Sequence, residues 1–172
     1  MHDEDILLRS IRGTAYLAIA PCILLSAAVW FTSDSTGIVI ANLFHVYFCI
    51  LLFFVFRKIW SLQSSFEEQY KSQLKKMALI LILLALLGIA LTVFINPAWG
   101  VGFLMIGFYS SRLIRFYYSI FKVISKPYID LLNRISIILC ICLMLIFTYW
   151  LNPYSNPLEA VSYTHLTLPT KA

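Results

Sequence analysis

MALILILLALLGIALTVFI, residues 77–95, carries no charge and only one hydroxyl, Thr92. A transmembrane α-helix needs about 20 apolar residues to cross roughly 30 Å of hydrocarbon. Inside the bilayer only a helix or a closed barrel satisfies every backbone N–H and C=O. The run meets that length without a charge, so it predicts a membrane-spanning helix. Two further runs precede it, GTAYLAIAPCILLSAAVWFT at 13–32 and GIVIANLFHVYFCILLFFVF at 37–56. ISIILCICLMLIFTYWL at 135–151 follows, with Tyr149 and Trp150 placed as aromatic residues at the membrane interface.

The segment after Pro97 takes more argument. It is apolar from 98 to 111, is interrupted by Arg112 and Arg115, and resumes with FYYSIF. The expectation is one helix over 98–121, its two arginines three apart on one face and snorkelling to the same interface. The alternative is a re-entrant half-helix, which needs protein or water to cover its backbone. The fold class expected is therefore all-α, a polytopic transmembrane helix bundle with five spans in a single membrane domain over 1–160.

Composition agrees: 61% of residues are hydrophobic, 12% are charged, and the mean hydropathy is +0.86. A soluble domain carries about a quarter charged residues, and this chain has too little polar surface to enclose such a core. The cysteines, Cys22, Cys49, Cys140 and Cys142, sit in apolar runs without C-x-x-C spacing. They read as small buried side chains rather than as a disulfide framework or a zinc site.

Charge sets the expected orientation. Of 13 Lys and Arg, every one except Lys171 falls before span one, between spans two and three, or between the body of span four and span five. The opposite segments, TSDST, NPAW and NPYSNPLEA, contain none. The positive-inside rule then puts the N-terminus in the cytoplasm and the chain in an inner membrane. Basic residues facing anionic headgroups account for the pI of about 9.1, so nucleic acid is not an expected partner. The connector WSLQSSFEEQYKSQLKK, 60–76, reads as a solvated segment against those headgroups. Ser65 is available to cap a short helix there, and Glu67 and Lys71 have the favourable i, i+4 order.

The outer turns echo one another. Aligned without gaps, residues 31–48 match 94–111 with Phe31 on Phe94, Gly37 on Gly100 and Leu43 on Ile106. Asn152-Pro153 repeats Asn96-Pro97. The unit reads as a helical hairpin with Pro where a helix cannot continue and Asn bonding the turn backbone. Three hairpins are expected, the last truncated after its outgoing span.

The end of the chain fits no membrane pattern. VSYTHLTLPT, 161–170, back-translates in one frame, with an Ala codon before it, to the transposon end and adapter of tagmentation sequencing libraries. Residues 161–172 are therefore expected to be translated adapter, and Thr164 and His165 are not site candidates.

Few residues can carry chemistry. His45 lies near mid-membrane with Asn42 one turn away, an intramembrane polar pair that is a functional candidate by position. The plainer reading of His45 is a neutral ring bonded to a neighbouring helix. Arg112 and Arg115 are candidate lipid or partner contacts at the cytoplasmic edge. Asp130 and Arg134 have the i, i+4 spacing of a surface pair. No H-E-x-x-H, P-loop, G-x-S-x-G or paired carboxylates occur, so no catalytic, cofactor or metal site is expected.

The stretch 85–121 resembles the repeat of the HdeD-type acid-resistance membrane proteins. Gly88-Ile89, Asn96-Pro97, Gly102, Gly107 and Arg115 carry the resemblance, and Leu151-Asn152-Pro153 resembles a further copy. The first hairpin departs, with Ser33-Asp34 in the turn and His45 in the second helix. The resemblance implies six spans in three hairpins, no enzyme activity, and a role in envelope or acid stress. Gly102 and Gly107 are then helix-packing candidates in a homo-oligomer or with a membrane partner protein. Two other readings remain open: the membrane sensor of a longer signalling protein, and a transporter subunit.

Overall fold

The computed structural model describes residues 2–62, 66–114, 118–122 and 124–152, and among these every regular element is helical. The order is α1 (His2–Ala28), a 3-10 turn (Val29–Phe31), α2 (Asp34–Leu62), α3 (Glu68–Phe94), α4 (Pro97–Ile114), a second 3-10 turn (Ser119–Lys122) and α5 (Lys126–Trp150). Residues 161–172 lie outside the described residues, as does most of the expected third turn.

Side-chain pairs fix the helix directions. His45 meets Thr92 and Cys49 meets the Ala85 carbonyl, so α2 and α3 are antiparallel. Gly88 faces Leu104 and Gly107 faces Leu84, so α3 and α4 are antiparallel too. Arg12 lies beside Asp130 around one cavity while Trp30 and Tyr149 touch at the opposite end, so α1 and α5 run the same way. Each helix packs on the next and α5 returns to α1, closing a five-membered ring. Phe44, Phe48, Leu104, Leu143 and Ile146 fill its centre, with Phe48 edge-on to Phe108 at 5.6 Å.

The outer face is as apolar as the centre. Leu17 is 76% exposed, Phe31 88% and Phe94 83%, with Val39, Leu83, Ile106 and Met144 among many others around the ring. An apolar patch of a few hundred Å² already marks an interaction surface on a soluble protein. A helix hydrophobic all round belongs in a core or a bilayer. Among the described residues, four helical stretches are long and apolar enough to cross a membrane: Ile11–Phe31, Ser35–Ser61, Glu68–Phe94 and Lys126–Trp150. They are consistent with an integral membrane protein. Pro21 removes one backbone N–H within α1, and beside that gap Tyr47 of α2 donates its hydroxyl to the Ala18 carbonyl at 2.7 Å.

Several expectations need correction. The helix expected over 98–121 ends at Ile114, and a separate 3-10 turn occupies Ser119–Lys122. That turn is held from α3, where Gln73 donates to Ser119 Oγ at 2.9 Å and accepts the Ile120 N–H at 3.2 Å. The Ile120 side chain plugs the base of the bundle at 1% exposure. Side-chain capture of that N–H and burial of Ile120 together favour the turn over a continued helix.

Ser65, the expected cap in the connector, lies outside the described residues. The N-cap of α3 is Glu67, and Glu68–Lys76 is continuous with the span above it rather than a separate helix. Because Glu67 has extended backbone, it lies outside the helical register and Lys71 pairs with Glu68 instead. Tyr149 and Trp150, at the end of α5, do not face outward as a lipid-facing aromatic belt would. Both are buried inside the ring, Tyr149 against Trp30 and Gly37, while Trp99 and Trp30 face outward.

Candidate functional site

The polar centre of the bundle forms where α2, α3 and α4 meet. His45 is 3% exposed, on the same side of α2 as Ala41, Phe44 and Phe48. Thr92 sits opposite on α3, and its hydroxyl donates to the Gly88 carbonyl one turn earlier at 2.9 Å. With its proton committed, Thr92 Oγ1 is an acceptor for the imidazole, which lies 3.2 Å away through Nδ1 and 3.1 Å through Nε2. A neutral ring needs one such acceptor for its single N–H.

Gly100 of α4 closes the third side. A Cβ built there would collide with the Thr92 hydroxyl, and would lie 2.8 Å from the Gly88 carbonyl and 3.0 Å from His45 Cε1. Only glycine lets α4 come this close. Asn96 starts α4 from just above: its Oδ1 accepts the Ala98 N–H at 2.8 Å, and Pro97 follows at the first helical position. The expected role of Asn in this turn is what the geometry shows.

Asn42 does not join the cluster. It points out of the bundle between Val39 and Val46, both exposed, and among the described residues its carboxamide has no hydrogen-bond partner. The i, i+3 spacing from His45 left room for one shared face, but the ring seats His45 on the inner face of α2 and turns Asn42 outward.

Gly102 lies under Phe147 of α5, whose ring would stand 3.0 Å from a Cβ at that position, and Gly107 lies against Leu84 of α3. Both serve helix packing within the chain. Arg112 falls in the last turn of α4, while its side chain and all of Arg115 lie outside the described residues. No ion pair joins Asp130 to Arg134; both line a cavity with Arg12 and Lys126 of the same end. Among the described residues no three His, Cys, Asp or Glu side chains converge as a metal site would need.

Sequence reasoning located His45 but missed its partners. Thr92 and Gly100 belong to other helices, and nothing local marks them as neighbours of residue 45. As for known proteins, no family model, curated protein or solved structure matches the chain.

Proposed function

We propose that this is a non-catalytic, multi-pass protein of a bacterial-type inner membrane, with an HdeD-like part in envelope or acid stress, acting through packing and assembly. The observation that carries the reading is how the interior is used. The buried polar residues among those described, Ser26, His45 and Ser136, are bonded to their own or an adjacent helix, and of the buried side-chain N and O atoms there the Trp150 indole N–H alone lacks a partner. The interior is spent on holding five helices together.

Two turns support the hairpin repeat. Gly37 N–H binds the Ser33 carbonyl at 2.7 Å, and Gly100 N–H binds the Asn96 carbonyl at 3.2 Å, the same pair of positions in the aligned segments. The orientation proposed, with the N-terminus in the cytoplasm, draws on the gathering of Arg12, Arg57, Lys58, Lys75, Lys126 and Arg134 at one end of the ring.

Assembly of a second copy needs a surface other than Gly102 and Gly107, which are used inside. Asn42 supplies it. It lies eight residues into α2, about 12 Å along the axis, deeper than a short carboxamide can reach back to water. The group is both donor and acceptor, so it is self-complementary across a two-fold axis, and asparagine in this setting associates transmembrane helices.

Survival of an acid challenge by cells lacking the gene tests the role, and light scattering of the purified protein tests the assembly. The reading expects reduced survival, restored by the wild-type gene, and a dimer that Asn42→Leu converts to monomer. Unchanged survival would remove the stress role, and a wild-type monomer would remove the assembly.

A further inference from the structure

At the basic end of the bundle a cavity of about 210 Å³ opens between α1 and α5, lined by Arg12, Tyr16, Lys126, Asp130, Leu131 and Arg134. Lys126, Asp130 and Arg134 follow at i, i+4 and i+8, one stripe of α5, and Arg12 faces them from α1. Three cations share the cavity with one carboxylate, and among the described residues no ion pair joins any of the four. Among the described residues, three cations around one carboxylate give the cavity a net positive field, which suits an anion. The first turn of α5 begins at Lys126, and the positive end of that helix adds to the same field.

The position selects among anions. Arg12 and Arg134 stand immediately before the apolar stretches that begin at Gly13 and Ile135, which is the depth of the headgroup phosphates. Toward the membrane centre, Ile137 and Ile141 continue the Arg134 side of α5 at i+3 and i+7, and both are exposed. Cations below an exposed apolar track match a phosphate with acyl chains attached. The cavity is smaller than the roughly 300–1,000 Å³ typical of organic ligand pockets, and a headgroup needs less. Basic pockets between transmembrane helices bind anionic headgroups in this way.

We propose that this cavity is a phosphate seat for an anionic phospholipid, held by Arg12, Lys126 and Arg134. Asp130 opposes the anion and tempers its affinity.

Native mass spectrometry of the detergent-purified protein, titrated with phosphatidylglycerol, reads the first binding event. The double variant Arg12→Gln/Arg134→Gln should weaken that event by at least about tenfold, the loss expected when charged hydrogen-bonding partners are removed. Arg57→Gln/Lys58→Gln removes the same charge elsewhere on the basic end and should change it less than about twofold, as for screened surface charges. Asp130→Asn should tighten binding, a change that misfolding cannot produce. Excess inorganic phosphate separates the two sources of the group. Failure to displace the lipid assigns the seat to the headgroup, whereas displacement at millimolar phosphate keeps the seat and makes free phosphate its ligand. Equal losses in the two double variants, or no tightening in Asp130→Asn, would overturn the proposal.

Discussion

His45 and Thr92 are 47 residues apart in the chain, yet the Thr92 hydroxyl lies within 3.2 Å of both imidazole nitrogens while its proton is held by the Gly88 carbonyl. The pair ties α2 to α3 at the level where Gly100 of α4 packs against both.

Thr92→Val keeps the shape of the site and leaves the imidazole N–H without its acceptor. It should cost about 1–2 kcal/mol, the usual range for one buried partner removed. In the double variant His45→Leu/Thr92→Val both polar groups are gone, so the cost should fall short of the sum of the single changes. Unfolding titrations in mixed micelles for the three variants give the coupling; strict additivity would deny it.

Gly100→Ala and Gly13→Ala should have opposite signs. The first places a methyl group against Thr92 and the Gly88 backbone, and overpacking of this kind costs about 1–3 kcal/mol. Around Gly13 nothing stands within 4 Å, and the helix gains up to about 1 kcal/mol on replacing glycine by alanine. Thermal unfolding of the two variants side by side checks the contrast.

Gln73→Ala should release the turn at Ser119–Lys122 while leaving the helical ring in place, since Gln73 binds both Ser119 Oγ and the Ile120 N–H. Amide exchange at Ile120 should rise by roughly tenfold, about 1.4 kcal/mol of lost protection. Unchanged exchange would mean that burial of Ile120 alone fixes the turn.

Thr32→Cys and Ser61→Cys, placed in a background without native cysteine, report the two ends of the bundle. With the proposed orientation, an impermeant maleimide added to intact spheroplasts should label the first and reach the second only after lysis. The reverse pattern would invert the topology.

Gly107→Leu illustrates how a reading of small residues changes with the tertiary structure. As a member of a small-residue face, Gly107 suggests contact between chains. In the fold Leu84 of α3 occupies that space, so the substitution strikes the bundle itself.

The membrane class and the helical content follow from sequence because hydrocarbon leaves the backbone few ways to satisfy its polar groups. An uncharged stretch such as 77–95 then has a single stable conformation whatever its neighbours do. The Asn96-Pro97 turn is equally local, since the asparagine bonds an N–H two residues on. The ring could not be read this way. When both faces of a helix are apolar, hydrophobic periodicity no longer marks the inner side, so His45 and Asn42 could not be separated, nor Trp150 from Trp99. The end of α4 was hidden for a related reason, because the acceptor that captures the Ile120 N–H is Gln73 on another helix. Those choices rest on which side chains interlock between helices, and packing of that kind exists only once the chain has closed on itself.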